Sequence, residues 1–139
     1  MKYIKTGDTY AVRLDPGEEI LESVLRLAQK EGIGFAEVSA IGAVERATFG
    51  LYDLGEKKYH SRTFEQPLEM VSLNGNLSRR DGEPYIHLHA AFADEEGTVI
   101  GGHLNEAVIS ATCEMFIKVL DADMGRRISE QTGLNIFDI

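Results

Sequence analysis

The sequence has 139 residues, the size of one domain, with 43% hydrophobic and 27% charged residues, a profile that suits a globular chain with a core of its own. Its net charge of -9 works against non-specific nucleic-acid binding, which draws its affinity from a basic face. A single cysteine, Cys113, rules out an intrachain disulfide, and no stretch approaches the roughly 18 continuous apolar residues of a membrane span.

In chain order, Met1 to Thr6 lacks the apolar centre of a secretory signal; with the lone thiol, this implies a cytoplasmic protein. Tyr10 to Leu14 alternates like a half-buried strand and stops at Asp15-Pro16-Gly17. A helix is predicted from Glu18 to Glu31, with Asp15 as its cap and Glu18 and Glu19 at its positive end. Ile20, Leu21, Val24, Leu25, Leu27 and Ala28 form its apolar stripe, and Gly32, then Gly34, end it.

Beyond Gly34 short alternating segments are divided by turn residues. Strands are predicted over 35–41, 47–52, 57–64, 68–77, 85–93 and 98–104, with Gly42 marking a break or a close backbone approach. Asp81-Gly82 is a hairpin turn, which also accounts for the densest basic run, Ser78-Arg79-Arg80. Asp94 to Gly97 is an acidic turn. Ser110 to Leu120 fits a strand or a helix by periodicity, and its β-branched Thr112, Ile117 and Val119 favour the strand. Cys113, inside this apolar run, reads as a buried and inert thiol. From Gly125 to Ile139 a short helical turn and an extended end are expected. The whole predicts one α+β domain over 1–139, a mainly antiparallel sheet packed with one principal helix. A sheet this small leaves a face or edges that a closed homo-oligomer would cover.

Chemistry concentrates at three of the four histidines. His87 and His89 flank Leu88 in Pro84-Tyr85-Ile86-His87-Leu88-His89, and His103 follows Gly101-Gly102 one hairpin later. Alternate strand residues share a face, so His87 and His89 project together. Three convergent imidazoles suit a borderline-soft divalent metal and leave it a fourth position. Pairing Ala93 with Thr98, however, puts His103 on the opposite face; a one-residue slip, such as a bulge at Gly101-Gly102, reverses that, or His103 meets His87 and His89 of a neighbouring subunit. The alternative is a pair of polar residues on the wet face of a strand whose buried face is Ile86, Leu88, Ala90 and Phe92. His60 sits in a polar strand and reads as solvent-exposed. Glu106, soon after His103, is either an acid that orients a ligand or a solvated one. No phosphate loop or Ser-His-Asp order is present, and no catalytic residue is assigned.

Five segments in order resemble the PPC (plants and prokaryotes conserved) domain, from about Tyr10 to Leu120. They are Leu14-Asp15-Pro16-Gly17-Glu18-Glu19-Ile20, Val38-Ser39-Ala40-Ile41-Gly42-Ala43-Val44, Leu68 to Asn76, Pro84 to His89, and Gly101-Gly102-His103-Leu104. The resemblance implies an α+β homotrimer with a metal, zinc, on His87, His89 and His103. In plant members the domain follows AT-hook arms that enter the minor groove of DNA, and none occurs in these 139 residues. The plant partner-contact motif falls on Gln66 to Val71 and keeps only Glu69, which is otherwise an exposed strand carboxylate. The expected function is a zinc-carrying ligand-binding or regulatory module with a small-molecule ligand. The alternatives are a zinc-dependent hydrolase or lyase, using Glu106 or Glu69 as base, and a DNA-associated architectural protein.

Overall fold

Nine strands and one helix make up the chain, and the structure, a computed structural model, describes all of residues 1–139. In order they are β1 (Lys2–Thr6), β2 (Thr9–Leu14), α1 (Ile20–Glu31), β3 (Ala36–Asp53), β4 (Lys58–Phe64), β5 (Leu68–Arg80), β6 (Glu83–Ala93), β7 (Val99–Val119), β8 (Arg126–Ile128) and β9 (Asn135–Phe137). Seven strands form one antiparallel sheet in the order β1-β2-β7-β6-β5-β3-β4, and β7 also pairs with β3. The strands β3, β5, β6 and β7 therefore close on themselves as a ring. The mainly antiparallel sheet with one principal helix expected from the sequence is present, but with that helix only 12 residues long the domain is sheet-dominated and not a balanced α+β fold.

The difference arises mostly in two long strands. β3 runs 18 residues through Gly42 and β7 runs 21 through Asn105, where shorter strands were expected. Register shifts at Gly42/Val44, Val44/Arg46 and Thr48/Phe49 let the pair bend while it stays hydrogen-bonded. Gly42 is thus a close approach and not an end: a Cβ there would press on the Thr112 carbonyl. The N-terminal strand β1, unforeseen, is a lysine-bearing sheet edge. The tail is a β8–β9 hairpin in place of the expected helical turn, with Phe137 packed edge-on against Phe35.

The helix fills a gap along β7. One side of β7 pairs with β6 up to His103 and with β2 from Cys113. Between them the Gly17 amide donates to the Ile109 carbonyl (2.8 Å) and the Ile109 amide to the Glu18 carbonyl (3.0 Å). The Ala107 amide donates to Glu19 Oε1 at 3.0 Å, so the helix entrance satisfies backbone groups that no strand reaches. Glu19, not Asp15, is the cap and accepts from the Glu22 amide at 2.7 Å. Asp15 instead accepts from Arg13 Nε at the surface. Ile20, Val24, Leu27 and Ala28 are buried, and Gly32 ends the helix in the left-handed region at φ 66°.

The β6–β7 hairpin sets the site. Its connection is five residues, Asp94 to Thr98, so Ala93 faces Val99 rather than Thr98. Asp94 Oδ1 shapes the turn by accepting from the amides of Glu96 (3.1 Å) and Thr98 (2.8 Å), with Gly97 at φ 79°. One added residue shifts every pairing and brings His89 opposite His103. The β6–β7 ladder has no bulge at Gly101-Gly102; the glycines serve close packing, and a Cβ on Gly102 would lie 2.5 Å from the Gly50 carbonyl oxygen. Gly102→Ala is expected to cost about 1–3 kcal/mol, read as a lower urea midpoint; an unchanged midpoint would show that β3 yields freely.

Candidate metal centre

Alternation on β6 buries Leu88, Ala90 and Phe92 in the core and turns His87 and His89 to the other face. His103, opposite His89 on β7, completes a trio whose nearest potential ligand atoms all lie within 4.8 Å of one another. Ring centroids are 5.0 Å apart for His87–His103, 5.2 Å for His87–His89 and 5.4 Å for His89–His103. The Nε2 atoms of His87 and His89 are 3.3 Å apart. Two nitrogens at about 2.0–2.1 Å from one tetrahedral zinc stand about 3.4 Å from each other, so this pair already has the spacing of two ligands.

The electrostatics favour the unprotonated rings that a metal needs. Burial pushes His87 down to about 4, with the charges of His103, Arg126 and His89 acting in the same direction. Burial, then His89, also lowers His103. Both shifts favour the neutral ring, which offers a lone pair. In the metal-free protein the unfolded chain binds more protons than the folded one between about pH 6.5 and 4. Stability is therefore expected to fall as pH drops through that window, and less steeply in His87→Gln, by thermal melts from pH 8 to 4. Parallel profiles for the two proteins would contradict the assignment.

The trio lines a cavity of about 470 Å³ whose walls are Gly50, Leu51, Tyr52, Tyr59, Tyr85, Gly102, Leu134, Asn135 and Ile136. Tyr59 steadies the β7 histidine: its hydroxyl donates to Asn105 Oδ1 (2.7 Å) and to the His103 carbonyl (3.2 Å), and its ring meets the imidazole edge-on. Behind the β6 histidines the Arg126 guanidinium is sandwiched between Tyr85 (4.6 Å) and Phe137 (4.7 Å). It donates to Ser78 Oγ, Asn76 Oδ1 and the Asn135 carbonyl, at 2.7, 2.7 and 2.9 Å. This anchor fixes the β8–β9 hairpin that supplies Leu134, Asn135 and Ile136. None of these wall residues was foreseen. Only Tyr85, two before His87 on the same strand face, carried a usable signal.

The other predicted residues lie elsewhere. Glu106 is ion-paired with Arg46 and accepts from Thr48 Oγ1 at 3.5 Å, while Glu69 is exposed on β5 between Ala93 and Ala43. Neither lines the imidazole cavity. His60, on β4, faces Glu56 Oε2 at 3.2 Å and is separate from the trio.

A closed antiparallel sheet carrying a three-histidine cluster beside a small cavity defines the class. The chain belongs to the Plants and Prokaryotes Conserved domain family, which matches residues 1–121. A metal-containing protein from Archaeoglobus fulgidus is 36% identical, with a TM-score of 0.89 over 96% of this chain and 94% of that one. A plant- and prokaryote-conserved protein from Pyrococcus horikoshii is 30% identical, with a TM-score of 0.87 over 99% and 95%. A candidate DNA-binding protein from Ralstonia eutropha JMP134 is also 30% identical, with a TM-score of 0.93 over 99% and 96%. Among curated sequences, the bifunctional protein GlmU of Synechococcus sp. (strain JA-3-3Ab) is 35% identical over 125 residues, 88% of this chain. The chain spans only 18% of that protein's length. No helix is long and apolar enough to cross a membrane.

Proposed function

We propose that this chain is a homotrimeric cytoplasmic module that carries one zinc ion per protomer on His87, His89 and His103 and binds a small ligand beside it, in a ligand-sensing or regulatory role. The observation that carries this reading is the convergence of three imidazoles, two of them held unprotonated by burial, on one cavity. A three-nitrogen set with a free fourth position suits zinc, which would supply Lewis acidity there. A metal-containing relative at 36% identity supports the presence of a metal. Assembly is supported by Ile41, Val71 and Phe116, on β3, β5 and β7, which are 58%, 49% and 58% exposed in the protomer; large apolar residues left bare in this way favour burial between subunits. Elemental analysis and sedimentation test both parts. We expect one zinc per chain and three times the protomer mass; protein that stays metal-free in added zinc, or sediments as a monomer, would contradict the corresponding part.

The catalytic alternative needs a base beside the metal-bound water, and no carboxylate lines the cavity within a protomer. Association with DNA is suggested by the Ralstonia relative, with the net charge of -9 set against it. Binding to duplex DNA that weakens steeply with salt would be its signature.

A further inference from the structure

Charge balance at the cavity narrows the ligand. Three neutral imidazoles leave a bound zinc ion with its full double charge. Nothing on the walls offsets it, for none of the 12 lining residues is Asp or Glu. Glu106, three residues after His103, is engaged by Arg46. Asn135, a polar wall residue, is neutral, and its side-chain amide is buried in the wall. Arg126 adds positive charge: its guanidinium lies 4.6 Å over the Tyr85 ring and donates to Asn76, the residue paired with His87. An acid-free wall contrasts with a chain that holds 23 acidic residues against 14 basic ones. A double positive charge with no acid beside it attracts an anionic ligand. The rest of the wall is apolar or aromatic, and about 470 Å³ exceeds what a bare inorganic anion fills.

We propose that the cavity takes a small organic carboxylate, with a carboxylate oxygen in the open zinc position and an apolar body along Tyr85, Leu134 and Ile136. This rests on the zinc reading above and adds the chemical class of its ligand. Nothing covalent is asked of the site; the carboxylate would fill the position that three imidazoles leave open on the metal.

Calorimetric titration of the zinc-loaded full chain tests it with four probes: phenylacetate, acetate, phenylacetamide and inorganic phosphate. Phenylacetate is expected to bind at least about tenfold tighter than acetate, which lacks the apolar body. Phenylacetamide, of the same shape without the charge, is expected to show no measurable binding, and phosphate to bind more weakly than phenylacetate. Ile136→Ala, which leaves the three imidazoles intact, lowers phenylacetate affinity severalfold and leaves acetate unchanged. In cobalt-substituted protein, phenylacetate shifts the visible absorption bands. Amide binding equal to that of the acid, phosphate binding tighter than phenylacetate, or cobalt bands unmoved at saturating phenylacetate would each overturn the carboxylate assignment and leave the zinc site standing. Protein that elemental analysis shows to refuse zinc overturns the metal reading, and this inference with it.

Discussion

Alanine at His87 is expected to leave the protein folded and to lower its zinc affinity by more than about 100-fold. Loss of a residue that merely orients a ligand costs about 10–100-fold, and His87 would be a ligand. Its removal leaves His89 and His103, whose ring centroids are 5.4 Å apart, and two nitrogens hold zinc far less well than three. The fold is expected to tolerate the change, since the His87 ring is half-buried and burial already disfavours its charged form. His89→Ala belongs to the same class, whereas His60→Ala on β4, paired with Glu56, is expected to keep wild-type affinity. Competition against a chromophoric chelator reads the constants, and a melt of each metal-free protein separates ligand loss from unfolding. Equal zinc affinity in the His87, His89 and His60 variants would remove the site.

The His87–His89 pair was legible in the sequence because period-two alternation is local: His87-x-His89 shares a face in any strand. The position of His103 was not, since it depends on whether the turn after Ala93 holds four residues or five. The side-chain bonds of Asp94 that shape the longer turn leave no periodic trace. The helix was found from its stripe, yet its cap moved from Asp15 to Glu19 because the Glu19 carboxylate also satisfies the Ala107 amide, 88 residues away. Such long-range bonding is invisible to local propensity. The same holds for β3 and β7, where bulges absorb irregularities that read as strand ends. The aromatic wall went unseen for a related reason. Tyr52, Tyr59 and Tyr85 come from three strands, and only closure of the sheet places them around one cavity.

Phe92→Ala is expected to destabilise the protein by about 3–5 kcal/mol. Phe92 is fully buried and forms the end of an aromatic stack, 5.3 Å from Phe49, which stacks on Phe64 at 5.0 Å. Its removal empties a site walled by β3, β4 and β6, strands whose backbones are tied by ladder bonds and collapse poorly into a void. For a domain of this size the melting temperature is expected to fall on the order of 10 °C, compared at fixed protein concentration. The effect reaches the candidate metal centre through the hairpin. Phe92 faces Ile100 three pairs from the His89–His103 pair, so its packing helps hold the register that sets those two imidazoles together. Zinc affinity is therefore expected to weaken too, and saturating zinc to recover part of the lost stability by binding only the folded chain. A melting temperature within a degree or two of wild type would show that the stack is dispensable. Lost stability with unchanged zinc affinity would show that the Asp94 turn fixes the register alone.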